Sequence, residues 1–201
     1  GVDPGPPKAS MWLDWMLAPA DVPATTINKL CLSGLTGIAL ADQAIATGQH
    51  ESVVAGGMES MTNAPHLVRG ARTGISYGSR AFEDALDRDG LVGAIEGVGM
   101  GAATEADQAP LTLTREEQDA SAAESHRRAH AATTSARFAS EIVPVTTRKG
   151  VVVDTDEGIR PDTTVESLAR LRPAFSPDGT ITAGSASQLS DGAAAVVIMS
   201  K

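Results

Sequence analysis

The segment 192–199, Gly-Ala-Ala-Ala-Val-Val-Ile-Met, contains no polar side chain. An apolar run of that length, closing on β-branched residues, reads as a strand covered on both faces rather than one alternating between core and water. A strand of this kind needs partners. One candidate is Ser52-Val53-Val54-Ala55, which ends in Gly56-Gly57, where the backbone must turn sharply or lie close to another segment. Between Leu30 and Thr47 the apolar residues recur with a helical period, which Gly48 stops, and the β-branched Thr25-Thr26-Ile27 before it reads as a strand. The pattern is strand, helix, strand, and the class is α/β. A central strand so close to residue 201 implies that the polypeptide in which the sequence arose continued past it.

The 20 glycines, with abundant alanine, call for closely packed backbones rather than a core of large side chains. Sixteen Lys and Arg stand against 25 Asp and Glu, a net charge of −9, and the aromatics are two Trp, one Tyr and three Phe. That balance excludes nucleic acid as a partner, which demands a basic footprint and, for single strands, stacking platforms. No stretch approaches the roughly 18 apolar residues of a membrane span. The apolar run 11–17 is interrupted by Asp14 and has only Lys8 before it, unlike a secretion signal. A single cysteine, Cys31, excludes a disulfide framework and a thiolate zinc site, and points to a reducing, cytoplasmic setting.

Residues 1–21 hold four of the eleven prolines and both tryptophans without a clear period, and read as an atypical leader. Residues 22–61 form the strand–helix–strand core, and residues 62–189 form a separate domain of dispersed charge. Residues 190–201 return to the core as its apolar strand. Within 62–189, Thr114-Arg115-Glu116-Glu117 has capping-box spacing and opens a helix running to about Phe138. Residues 142–145 and 151–153 read as two strands joined by the turn Arg148-Lys149-Gly150.

Cys31 stands where a helix begins. There the dipole and free amides favour a thiolate nucleophile, while a lone cysteine also serves as a small buried hydrophobe. The neighbours Ser33, Gly34 and Gly37 leave room for a substrate beside the sulfur. His126 and His130 have the i, i+4 spacing of a metal pair, but no acidic residue follows His126 as zinc hydrolases require, so they read as a solvated face. His50 and His66 fall in turns. Gly97-Val98-Gly99-Met100-Gly101 lacks dinucleotide-loop spacing and reads as a turn. Gly184-Ser185-Ala186-Ser187-Gln188 misses the last glycine of a nucleophile elbow. Asp154, Asp156 and Glu157 lack the remaining ligands of a calcium loop.

Three motifs in order carry a resemblance: Asn28-Lys29-Leu30-Cys31-Leu32-Ser33-Gly34, Val54-Ala55-Gly56-Gly57-Met58-Glu59-Ser60-Met61, and Thr182-Ala183-Gly184-Ser185-Ala186-Ser187 followed by Asp191-Gly192-Ala193-Ala194-Ala195. Together the chain from Val22 to Lys201 resembles the thiolase family, the acetyl-CoA acetyltransferases and 3-ketoacyl-CoA thiolases. The resemblance implies a partial thiolase fold, the N-terminal half with its coenzyme-A-covering loop domain. It makes Cys31 the acyl-accepting nucleophile, places Arg160 at the nucleotide end of coenzyme A, sets Ser167 and Ser187 along the groove, and puts Leu91 and Met100 beside the pantetheine and acyl tunnel. Gly99 departs from the pattern, because many relatives place a histidine there. The substrates it implies are acetyl-CoA and other acyl-CoA thioesters, with no tightly bound cofactor.

Family members are longer than these 201 residues. Their second half supplies an Asn-Glu-Ala-Phe segment, a Gly-His-Pro histidine that activates the nucleophile, and a Cys-x-Gly cysteine that moves the α-carbon proton. None occurs here. The expectation is a thiolase-type acyltransferase acting through an acyl-cysteine and catalytically impaired in this truncated form. The alternatives are a non-enzymatic acyl-CoA-binding remnant and a structural dimerisation partner pairing through the strand before Cys31. Either way a homo-oligomer, or association with another thiolase chain, is expected.

Overall fold

A computed structural model describes residues 22–201; the leader expected at 1–21 lies outside the described residues. Helices α1 (Ser33–Ala46), α2 (Met100–Gln108), α3 (Arg115–Thr134) and α4 (Val165–Leu168) are interspersed with strands β1 (Ser52–Ser60), β2 (His66–Leu67), β3 (Glu83–Asp84), β4 (Val145–Thr146), β5 (Val152–Val153) and β6 (Asp191–Met199). They fall into two compact units. One is the described part of Gly1–Thr62 together with Ser190–Lys201, and the other is Asn63–Leu189.

In the first unit β1 and β6 pair antiparallel along their whole length, Ser52 opposite Met199 and Ser60 opposite Asp191. Their period of two sorts the side chains onto two faces. Val53, Ala55 and Ile198 face α1, where Ala55 and Ala41 are buried. Small residues permit this approach: a Cβ on Gly57 would stand 3.8 Å from Gly34 Cα. Of the two outcomes open to Gly56-Gly57, close approach is the one realised. β1 runs straight through the pair, and a Cβ on Gly56 would stand 3.0 Å from the Ala194 carbonyl oxygen. Gly48, at φ +72°, ends α1 as expected, its N–H bonding the Ile45 carbonyl at 3.0 Å.

Two expectations for this unit are corrected. Residues 25–27 form no strand, because no described segment ladders with them and β-branching alone supplies tolerance, not a partner. β6 is not covered on both faces: Val54, Met58, Val197 and Met199 on the face away from α1 are exposed. The crossing points are clasped by Asp191, whose Oδ1 accepts the Thr62 N–H at 3.0 Å and whose Oδ2 accepts the Thr62 hydroxyl. Those bonds hold the Asp191 carboxyl below its ordinary value.

In the second unit the capping box closes as read. Thr114 Oγ1 accepts the Glu117 N–H at 3.2 Å and Glu117 Oε2 accepts the Thr114 N–H at 2.8 Å. α3 stops at Thr134, short of Phe138, and Ala136 has turned to φ +54°. The hairpin of β4 and β5 is shorter than expected, closed by Gly150 at φ +79° with its N–H on the Thr147 carbonyl. After the turn at Gly97 the sequence Met100-Gly101 starts α2, a helix the glycine pattern concealed. The ring of Phe175 lies across Gly101, so a side chain there would have to displace it.

Glu105 on α2 anchors the segment 179–182. Its Oε1 accepts the Thr180 N–H at 2.7 Å and the Gln108 amide at 2.6 Å, and its Oε2 accepts the Ile181 N–H at 3.1 Å. Burial pushes this carboxyl up, but the Thr180 and Ile181 amides, the Thr180 hydroxyl and Gln108 together outweigh it, leaving the pKa below the ordinary value. A lowered folded-state pKa gives stability that is present above the unfolded value and disappears as pH falls through the folded one. Thermal melts at descending pH should show this loss. Glu105→Ala, which leaves the Thr180 and Ile181 N–H groups without this acceptor, should lower stability by about 2 kcal/mol near neutral pH and flatten the acid limb.

Candidate active site

Cys31 is exposed in a 3-10 turn, Leu30–Leu32, that leads directly into α1. Leu30, immediately before it, adopts φ +50°, a left-handed conformation that L side chains avoid. Two side chains hold the turn there. Asn28 Oδ1 accepts the Leu30 N–H at 2.9 Å, while Ser33 Oγ accepts the Lys29 N–H at 2.8 Å and donates to the Leu30 carbonyl at 2.7 Å. The thiol therefore sits on a braced corner at the amino end of a 14-residue helix, where the dipole favours developing negative charge. Among the described residues the thiol has no hydrogen-bond partner.

The serine was legible only as a small neighbour, and its bracing role was missed. The available signal was an Asn two residues ahead of a bend, the spacing of an Asx turn. Asn28→Ala should cost about 1 kcal/mol in urea unfolding, and Asn28→Asp, which keeps the acceptor, should retain most of it.

The candidate coenzyme residues lie in the second unit. Leu91 ends the π-helical turn Leu86–Leu91 and Met100 begins α2; the antiparallel bridge Val92–Gly99 brings the two ends together. Gly99 is the N-cap of α2, and a Cβ there would stand 4.0 Å from the Leu91 carbonyl oxygen. Ser167 belongs to the short α4. Its hydroxyl closes a second capping box, accepting the Thr164 N–H at 3.0 Å and donating to the Thr164 carbonyl at 2.8 Å. Leu168 and Leu171 lean over Gly184, so α4 packs on the Thr182–Ser187 motif at a position where a side chain would have to displace both leucines. Ser187 itself is exposed.

Arg160 is exposed as well and makes no ion pair among the described residues. Its backbone N–H donates to His126 Nδ1 at 3.2 Å. This corrects the reading of His126 and His130 as one solvated face: His130 is exposed, whereas His126 is half-buried and engaged. The loop behind Arg160 is pressed against Gln188, whose side-chain amide fills the place a Gly158 side chain would take. Arg160 and Ser187 are thus each within two residues of one close approach. No group of three or more His, Cys, Asp or Glu among the described residues is placed to hold a metal ion.

Residues 14–201 match the family model described as thiolase, N-terminal domain. The chain is 54% identical over 187 residues to a probable acetyl-CoA acetyltransferase of Mycolicibacterium smegmatis, covering 91% of this chain and 48% of that protein. It is 50% identical over 186 residues to an acetyl-CoA acetyltransferase of Pseudomonas aeruginosa, covering 90% and 47%. Among solved structures, human mitochondrial 3-ketoacyl-CoA thiolase in complex with CoA superposes with a TM-score of 0.84 at 40% identity, over 91% of this chain and 46% of that one. The chain spans about half the length of the curated relatives it matches.

Proposed function

This chain belongs to the thiolase family, and from that premise we propose that it is the nucleophile-bearing, coenzyme-covering part of an acyltransferase acting on acetyl-CoA and other acyl-CoA thioesters. The observation that carries this reading is the braced corner holding Cys31 exposed at the amino end of α1. Cys31 Sγ attacks the thioester carbonyl, and negative charge collects on the carbonyl oxygen. The bond from that carbon to the coenzyme sulfur then breaks. Coenzyme A departs with the thiol proton, and the acyl group remains on Cys31 as a new thioester. Condensation transfers the acyl group to the α-carbon of a second thioester, and thiolysis is the reverse.

In the same reading residues 62–189 form the domain that covers coenzyme A, while residues 22–61 and 190–201 are core; the compact units divide one residue later, between Thr62 and Asn63. Arg160 faces the nucleotide end, Ser167 and Ser187 line the groove, and Leu91 and Met100 flank the pantetheine arm. A guanidinium suits phosphate, and apolar side chains, Leu91 half-buried and Met100 exposed, suit a thioester arm. The exposed apolar face of Val54, Met58, Val197 and Met199 supports association with another thiolase chain, and a lone reduced cysteine supports a cytoplasmic setting.

A second reading, acyl-CoA binding without turnover, is favoured by one observation: among the described residues of its own unit no base meets the Cys31 thiol. Incubation with acetyl-CoA, digestion and peptide mass spectrometry tests the first reading. The expected product is an acetyl group on the Cys31 peptide. A Cys31 that iodoacetamide alkylates but acetyl-CoA never acylates would overturn the acyl-transfer reading and leave binding alone.

A further inference from the structure

We propose that His126 is a positioning residue for coenzyme A, holding the 156–163 loop so that it presents Arg160 to an anionic nucleotide; this rests on the reading of Arg160 given above. The backbone of the loop is held at every turn. Asp156 Oδ1 accepts the Gly158 N–H at 2.8 Å, the Gln188 amide occupies the space over Gly158, His126 Nδ1 accepts the Arg160 N–H at 3.2 Å, and the Arg160 carbonyl accepts the Thr163 N–H at 3.2 Å. Both backbone polar groups of Arg160 are therefore engaged.

Among the described residues its guanidinium is not. Asp156, Glu157, Asp162 and Glu166 all lie within six residues in a chain of net charge −9, yet none comes within ion-pair distance. A fixed backbone beneath an unpaired cation is what anion recognition requires, because the ordering entropy is spent before the ligand arrives. His126 supplies a hydrogen bond from α3 to this loop. Accepting at Nδ1 leaves the imidazole proton on Nε2. The capping box that starts α3 fixes the helix from which the histidine projects.

The test uses the full chain with free coenzyme A as the probe, titrated calorimetrically against wild type, Arg160→Ala, His126→Ala and His126→Asn, with hydrogen exchange of the Arg160 amide followed without ligand. Expected is a loss of tenfold or more in affinity for Arg160→Ala, in keeping with a charge-assisted contact, and of about fivefold for His126→Ala. His126→Asn, whose Oδ1 can accept the same N–H, should recover most of it. Arg160 amide exchange should quicken in His126→Ala and slow again in His126→Asn, which a general loss of packing would not do. Weakened binding in Arg160→Ala with neither affinity nor exchange altered in His126→Ala overturns the positioning role while sparing Arg160. Undiminished binding in Arg160→Ala overturns the reading of Arg160, and the role of His126 toward coenzyme falls with it.

Discussion

Arg115→Met should destabilise the second unit by about 3–5 kcal/mol, the range for removing one partner of a buried ion pair. Arg115 Nε meets Asp119 Oδ2 at 2.7 Å, and Asp119 is 1% exposed. The same guanidinium donates through Nη2 to the Leu168 carbonyl and, at 3.1 Å, to the Leu171 carbonyl, so one side chain joins the start of α3 to the end of α4. Asp119 Oδ1 already has no hydrogen-bond partner among the described residues. Without Arg115 the whole carboxylate would be buried and unpaired, a state far costlier than the pair itself. In a chain of this size that loss lowers the melting temperature by roughly 10 °C. The double variant Arg115→Met, Asp119→Leu should recover most of it, since an apolar pair has no charge to desolvate. A change below about 0.5 kcal/mol in the single variant, the level of an ordinary surface substitution, would mean that water reaches Asp119 and that the pair does not hold α4.

What could be read in the sequence was what a local pattern encodes. The Thr114–Glu117 capping box spans three residues and Gly48 ends its helix alone, so both were legible. The two long strands were legible as apolar runs, but an apolar run reports what its residues tolerate, not what covers them. β6 was therefore expected between layers that the described residues do not supply. The ties that organise the second unit were not legible. Glu105 reaches Thr180 across 75 positions, Arg115 reaches Leu168 across 53, and Arg160 reaches His126 across 34. None of these pairs has a spacing that chemistry imposes, and each partner taken singly looks like one more surface polar residue. The candidate site divides the same way. Cys31 stood out as the single thiol at a helix start, and the coenzyme residues came only through family resemblance. Asn28 and Ser33, which hold Leu30 in its left-handed turn, were passed over because a strained residue leaves no trace in composition.

The 201 residues alone should release no more than about one coenzyme A per chain from acetyl-CoA, slowly, and Cys31→Ala should release none. The sulfur needs only its own position to attack. Its corner is braced, and the helix dipole stabilises charge developing at that end. Activation is another matter. His50, His66, His126 and His130 are the only histidines; His50, the one in the unit that holds Cys31, makes no bond to its thiol, and His126 is committed to Arg160. A positioned general base contributes typically 10²–10⁴-fold, so acylation should be slower by about that factor than in a chain that also supplies the family's activating histidine. Turnover should be lower still, because the Cys-x-Gly cysteine to which the family resemblance assigns the α-carbon proton does not occur in these 201 residues. Coenzyme release followed with a thiol dye, beside intact-protein mass, separates the terms. One slow equivalent with a matching acetyl adduct is the expected trace. Sustained turnover that Cys31→Ala abolishes would mean that a base within these 201 residues does the work that the family resemblance assigns to a Gly-His-Pro histidine, and turnover that survives Cys31→Ala would remove the cysteine from the mechanism altogether.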